Sequence, residues 1–303
     1  MKHQRGTALI LVLMITFILG LLMLQMSLTA REQVARAQLL ADRAEAELRA
    51  ESREVALTFT LLTQPWAGSV ATDNPYAAAW NFRGQPFTVD GITYRIQDVS
   101  GLLVIPLNDV TGFVNLLVAL GVELPRATRL GEELIALQGA SIGLPRPGAG
   151  AASTTIDPDA GAQPGGWPAF PVQSLEELRG LKDMDDALFA RLEPLLTLYQ
   201  TQGFNPLTAP PELLASHLPP SELQGVLEMR AAGTLSDLSF SQLTGIEADD
   251  VTTFYPGPAF RIELTLEYRG MTVRRDTTVI VRPYLSDAFG VWSRRELTGG
   301  SST

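Results

Sequence analysis

The chain has 303 residues and no cysteine. That excludes disulfide staples, thiolate chemistry and cysteine-ligated zinc, and it leaves the redox compartment open. Histidine is almost as scarce: His3 and His217 are the only 2, too few for a multi-histidine metal centre. His217 precedes Leu218-Pro219-Pro220 and reads as a surface loop residue. Positive charge is also short, with 23 Lys+Arg against 33 Asp+Glu and a net charge of −10. Such a surface repels phosphate backbones, which argues against a nucleic-acid partner. No nucleophile elbow, phosphate loop, paired-histidine zinc motif or EF-hand calcium loop occurs, which disfavours an enzyme.

What is present begins at the amino end. Thr7 to Leu28 runs 22 residues without one ionisable side chain. About 20 apolar residues cross a bilayer core as a helix. Lys2, His3 and Arg5 precede the run, so the positive-inside rule puts Met1 in the cytoplasm and the bulk of the chain outside. Gln25 is the one strongly polar side chain deep in the run, an amide suited to the interface or to a helix contact. No small-residue cleavage site follows the run, as one would after a secretory signal. The helical pattern continues instead to Pro65, and a helix from Thr7 to Thr63 would be ~85 Å long. Beyond the membrane, Val34, Ala37, Ala41, Ala44, Leu48, Val55 and Leu62 recur at three- and four-residue spacing. This stripe predicts the face that packs on a sheet.

Two hairpins are legible. Phe87 and Val89 alternate, Asp90-Gly91 supplies a positive-φ turn, and Ile92, Tyr94 and Ile96 alternate again. Phe260 to Tyr268 alternates in the same way, turns at Arg269-Gly270 and returns from Met271 to Val281. Between these strands, roughly Asp109 to Asp250 reads as short helices without β character: Thr111–Leu120, Pro125–Leu137, a helix opened by the Ser174–Glu177 capping box, Asp185–Tyr199, Pro210–Leu218, Pro220–Ala231 and Ser239–Leu243. Pro194 should kink or split the fourth of these, and Gly139 to Phe170 is a long loop. The expected fold is α+β: a long N-terminal helix on a small antiparallel sheet, with a large α-helical domain inserted between strands.

Leu175-Glu-Glu-Leu178-Arg-Gly180-Leu181 and Phe240-Ser-Gln-Leu243-Thr-Gly245-Ile246 share one form, that of the first helix and turn of a helix-hairpin-helix or SAM-like unit. Acids follow both turns where DNA-binding versions carry bases, so a packing role is preferred. Asp157, Asp159, Asp183, Asp185 and Asp186 form a candidate calcium set, since Ca²⁺ takes six to eight oxygens. Acids placed for the helix dipole are the simpler reading.

Arg5-Gly6-Thr7-Ala8-Leu9-Ile10-Leu11 resembles the leader of type IV pilin-like proteins. The resemblance implies cleavage by a prepilin peptidase between Gly6 and Thr7, methylation of the Thr7 amine, and a six-residue leader. Most such subunits have Glu at mature position five, where this chain has Leu11. That position marks the minor pseudopilin K family of type II secretion systems, whose sheet also carries a large α-domain. Arg95-Ile-Gln-Asp-Val-Ser-Gly101, Ser174 to Leu181, and Asn205-Pro-Leu-Thr208-Ala209 are similar to segments of that family, in the same order. Two family features are missing: an Asn-rich segment, replaced by Leu102 to Leu107, and an Asp-Trp-Ile-Asp run, absent around Glu132–Ile142. The family's calcium loop lies near the latter.

The division implied is a leader at 1–6, a membrane half-helix at 7–28, a periplasmic half-helix at 29–64, sheet residues at 65–108, the insert at 109–250 and returning strands at 251–303. A neighbour's ammonium would pair with a position-five carboxylate; a subunit with Leu11 needs no neighbour above it and can occupy a filament tip. The partners implied are the other minor pseudopilins of a tip complex, the major pseudopilin, the inner-membrane secretion platform and secreted substrates. A minor pilin of a type IV pilus, acting in adhesion or DNA uptake, is the alternative. A membrane-anchored enzyme would need a pocket of convergent ionisable groups.

Overall fold

The computed structural model describes residues 5–66, 72–105, 110–142, 172–201, 203–282 and 285–298. Helix α1 (Arg5–Thr63) is continuous through 59 residues, about 88 Å at 1.5 Å per residue, and a short helix, α2 (Pro75–Ala79), follows it. It stops two residues before Pro65, which disfavours helical backbone in the residue ahead of it. Trp66 donates its indole N–H to the carbonyl of Leu61 at 2.8 Å, satisfying one orphan acceptor of the last turn.

Five strands form one antiparallel sheet in the order β1-β2-β5-β6-β7: β1 (Phe87–Val89), β2 (Ile92–Asp98), β5 (Ala259–Tyr268), β6 (Met271–Val281) and β7 (Phe289–Thr298). Both predicted turns hold two residues at positive φ, Asp90 and Gly91 at 51° and 77°, Arg269 and Gly270 at 48° and 78°. These turns match the right-handed twist of the flanking strands.

The side of α1 that meets the sheet differs from the predicted stripe. Ala46, Ala50, Leu57 and Leu61 are fully buried, whereas Val34, Leu48 and Val55 are about 60 % exposed or more. Apolar spacing alone misidentifies the face because the buried stripe consists of two alanines, two leucines, Thr60 and a carboxylate, Glu54, 4 % exposed. The alanines let the helix lie close to β5 and β6. Glu54 is tolerated because Arg275 on β6 and Arg294 on β7 reach it, at 3.4 and 3.1 Å.

The chain leaves the sheet after β2 and returns at β5, and β2 and β5 are direct neighbours, with Asp98 opposite Phe260. Between them lie α3 (Thr111–Ala119), α4 (Leu124–Ile142), α5 (Asp186–Leu192), α6 (Pro211–His217), α7 (Pro220–Ala232) and α8 (Asp237–Thr244). They enclose a separate core around Phe113, Leu116, Leu130, Phe189, Leu214 and Phe240. The sheet core comprises Leu57, Leu61, Tyr94, Ile96, Phe260 and Ile262. The insert is thus a helical head with its own interior.

Two expectations need correction here, and a third is met. The head is not free of β structure: Leu103–Val104 (β3) pairs in parallel with Leu196–Thr197 (β4). The split expected at Pro194 is found: the segment Asp185–Tyr199 breaks into α5 and a 3-10 turn at Glu193–Leu195, because Pro194 lacks the N–H that a continuing helix needs. The two repeat segments are not alike: Leu175–Gly180 is a 3-10 turn, while Phe240 to Thr244 ends an α-helix capped by Gly245 at φ 70°. No described helix follows Gly245 before β5, so the second segment does not open a helix-hairpin-helix.

Candidate functional site

Two features are candidates for function: the bare forward half of α1 and the junction where the head joins the sheet. From Leu9 to Leu28 the large apolar side chains of α1 are 44 to 73 % exposed, with no sheet or helix packed on them. Among the described residues this is the one helix long and apolar enough to cross a membrane. Gly6 and Thr7 lie in its first turns. Leu11 is 61 % exposed, and the run from Leu9 to Leu28 carries no carboxylate. No carboxylate in that run is available to pair with an ammonium group.

At the junction, Asp98 closes β2 and is fully buried. One carboxylate oxygen accepts from the Ser100 N–H at 3.0 Å, the Ser100 hydroxyl at 2.6 Å and the Gly257 N–H at 3.1 Å. The other accepts from the Asn205 side-chain amide at 3.1 Å and the Thr208 hydroxyl at 2.8 Å. Burial pushes the carboxyl above its ordinary range, and the donors from Ser100, Thr208 and Gly257 pull it back. A β-carbon at Gly101 would lie 2.8 Å from the backbone of Thr208, so only glycine lets the 205–209 loop approach. Sequence reading singled out these two stretches separately, as an Asp-x-x-Gly turn and an Asn-x-x-Thr-Ala run. The structure brings them together, 107 to 110 residues apart along the chain. One carboxylate thus ties the end of β2, the head and the approach to β5.

The acidic candidates are placed otherwise. Asp183 accepts from Arg129 at 2.8 Å, Asp185 from Arg126 at 2.7 Å, and Asp186 from Arg179 at 2.6 Å. Asp185 also caps α5 through the Leu188 N–H at 2.7 Å. The Arg126 guanidinium and the Leu188 N–H hold its carboxyl below the usual range. Each acid thus faces its own arginine, and among the described residues no three His, Cys, Asp or Glu side chains gather as a cation would require. Asp157 and Asp159 lie outside the described residues.

Fold and site together define a class: an α+β chain whose leading helix offers a bare apolar half and whose sheet carries an inserted helical head. No family model matches the chain, and no curated protein matches it. Among solved structures it is similar to one described as the crystal structure of the GspK-GspI-GspJ complex from the enterotoxigenic Escherichia coli type 2 secretion system. That likeness has a TM-score of 0.48 and 16 % identity, and it covers 89 % of this chain and 99 % of the other. At that identity and score it assigns no function to this chain.

Proposed function

We propose that the chain is a non-enzymatic minor pseudopilin, anchored by one helix in a bacterial inner membrane, with its bulk in the periplasm. In this reading it stands at the tip of the pseudopilus of a type II secretion system and helps to start its assembly with other minor pseudopilins. The observation that carries the reading is the bare apolar half of α1 with Leu11 at mature position five, continuous with a helix laid on an antiparallel sheet. A carboxylate in that apolar layer is stable only beside a partner ammonium. Leu11 removes the need for one, so the subunit can end a filament. The large head suits an end position, since it is inserted between the adjacent strands β2 and β5 and adds bulk beyond the sheet.

Processing at Gly6–Thr7 is part of the proposal, and it supplies the test. Mass spectrometry of the protein recovered from membranes should find Thr7 as the methylated first residue. Gly6→Ala should leave Met1 in place and abolish secretion. A mature chain beginning beyond Leu28, or an uncut chain that supports secretion, would refute the reading.

A further inference from the structure

A cleft of about 400 Å³ lies between the sheet and the head. Its size is that of a binding pocket for a small molecule or a short peptide. Four arginines line it: Arg83 before β1, Arg95 on β2, Arg261 on β5 and Arg191 on α5. Only two acids, Glu212 and Glu263, answer them. In a chain with net charge −10, this is a local reversal of sign.

Carboxylates neutralise the arginines only in part. Arg191 donates to the Leu120 carbonyl at 2.8 Å, a contact that fixes the guanidinium without cancelling its charge, whereas Arg261, which donates to the Leu196 carbonyl at 2.8 Å, also feels the carboxylates of Asp276, Glu263 and Glu193. Arg95 approaches Glu263 only to 3.8 Å. The Nε of Arg83 is buried without a hydrogen-bond partner. Arg83 follows a strained position, Phe82 at φ 55°. A bulky residue at positive φ costs energy, and such strain gathers where a side chain is held for a purpose. Burial lowers the basicity of Arg83 and Arg261, and burial together with the charge of Asp276 pushes the Glu263 carboxyl up.

Leu120, Leu195 and Pro210 stand among the cations as apolar wall. No hydroxyl, thiol or imidazole lines the cleft among the described residues, so the arrangement suits binding rather than catalysis. The cations come from four separate segments of the chain, and a lone inorganic anion would fill a small part of the space they line.

We propose that the cleft binds a short peptide segment of a partner protein that alternates carboxylate and apolar side chains. The carboxylates meet Arg83, Arg95 and Arg191 while the apolar side chains rest on Leu120, Leu195 and Pro210. The inference goes beyond the anchoring and tip role and does not depend on it.

The test uses the full chain in detergent micelles and a fluorescein-labelled peptide, Glu-Leu-Asp-Leu-Glu, followed by fluorescence anisotropy. Binding should saturate, and Arg83→Gln should weaken it about tenfold or more, the usual cost of truncating a buried charge pair. Arg36→Gln, on the far half of α1, should leave it unchanged. The amide peptide Gln-Leu-Asn-Leu-Gln should fail to bind. If Arg83→Gln does not fold by circular dichroism, Arg95→Gln, half exposed and easily replaced, carries the same expectation with a smaller loss. Equal binding of the acid and amide peptides, unchanged affinity in a folded Arg83→Gln or Arg95→Gln variant, or binding of inorganic phosphate with none of the peptide would overturn the proposal.

Discussion

Replacing Glu54 by Gln tests how the leading helix is fastened to the sheet. Glu54 is 4 % exposed and Arg275 is 5 % exposed. Removing one partner of a buried ion pair costs about 3–5 kcal/mol, because the other charge stays behind in a poorly solvated site. The 3.4 Å separation is longer than the best charge-assisted geometry, so the lower end, about 3 kcal/mol, applies. Arg294 lies nearer, at 3.1 Å, but its side chain is 42 % exposed, so solvent screens its share to about 0.5 kcal/mol. The amide keeps the shape and can still accept one hydrogen bond, which returns about 1 kcal/mol. The net loss should be about 2–3 kcal/mol, a drop of about 1 M in the urea midpoint for a slope near 2–3 kcal/mol per M. Trp66 and Trp80 sit in this core, so their fluorescence reports the transition in the full chain in detergent. Combining Glu54→Leu with Arg275→Met, an apolar pair of similar volume, should recover at least half of the loss. An unmoved midpoint in Glu54→Gln, or no recovery in the double variant, would refute the charge argument.

Gly101→Ala should shift the 205–209 loop and cost about 1–3 kcal/mol; faster proteolysis between sheet and head is the readout, and unchanged protection would contradict the close approach at Thr208. Leu57→Ala should cost about 2–4 kcal/mol and Leu48→Ala less than about 0.5 kcal/mol, since only Leu57 is buried; comparable losses in urea unfolding would mean that the wrong face has been assigned. Asp276 faces Glu263 across β5 and β6, and burial raises its carboxyl above the ordinary 3.8. A raised folded value means that this group's contribution is fully present below its unfolded value and is lost as pH rises through the folded one. Asp276→Asn should therefore gain about 0.5–1 kcal/mol at pH 7 and nothing at pH 3, as thermal unfolding at both would show; a gain that is larger in acid would be the wrong sign.

Much of the sheet was legible because two turns carry Gly at the position that demands positive φ, and the flanking residues alternate cleanly. Strand β7 was not: Trp292-Ser293-Arg294-Arg295 does not alternate by polarity, and an edge strand with one neighbour needs no such pattern. The buried stripe of α1 was hidden for a related reason. Alanines lie on both faces of the helix and glutamate scores as polar, so Ala46, Ala50 and Glu54 did not stand out, while the exposed Leu48 and Val55 did. Burial of Glu54 becomes readable only once Arg275 and Arg294 are known to stand opposite. The Asp98 junction depended on contacts across more than a hundred residues. Its two halves were visible as short motifs, but nothing local said that they meet. The Arg83 cleft left no trace, because its cations come from four elements with no fixed spacing along the chain.

Strands β2 and β5 leave and re-enter the sheet side by side, so everything from 99 to 258 hangs from two adjacent backbone crossings. A graft of that kind can grow, shrink or be exchanged without changing which strands pair below it. The platform would then be free to keep one geometry for stacking while the load it carries drifts, and a hairpin joining Asp98 directly to Ala259 would be the bare form of the same scaffold.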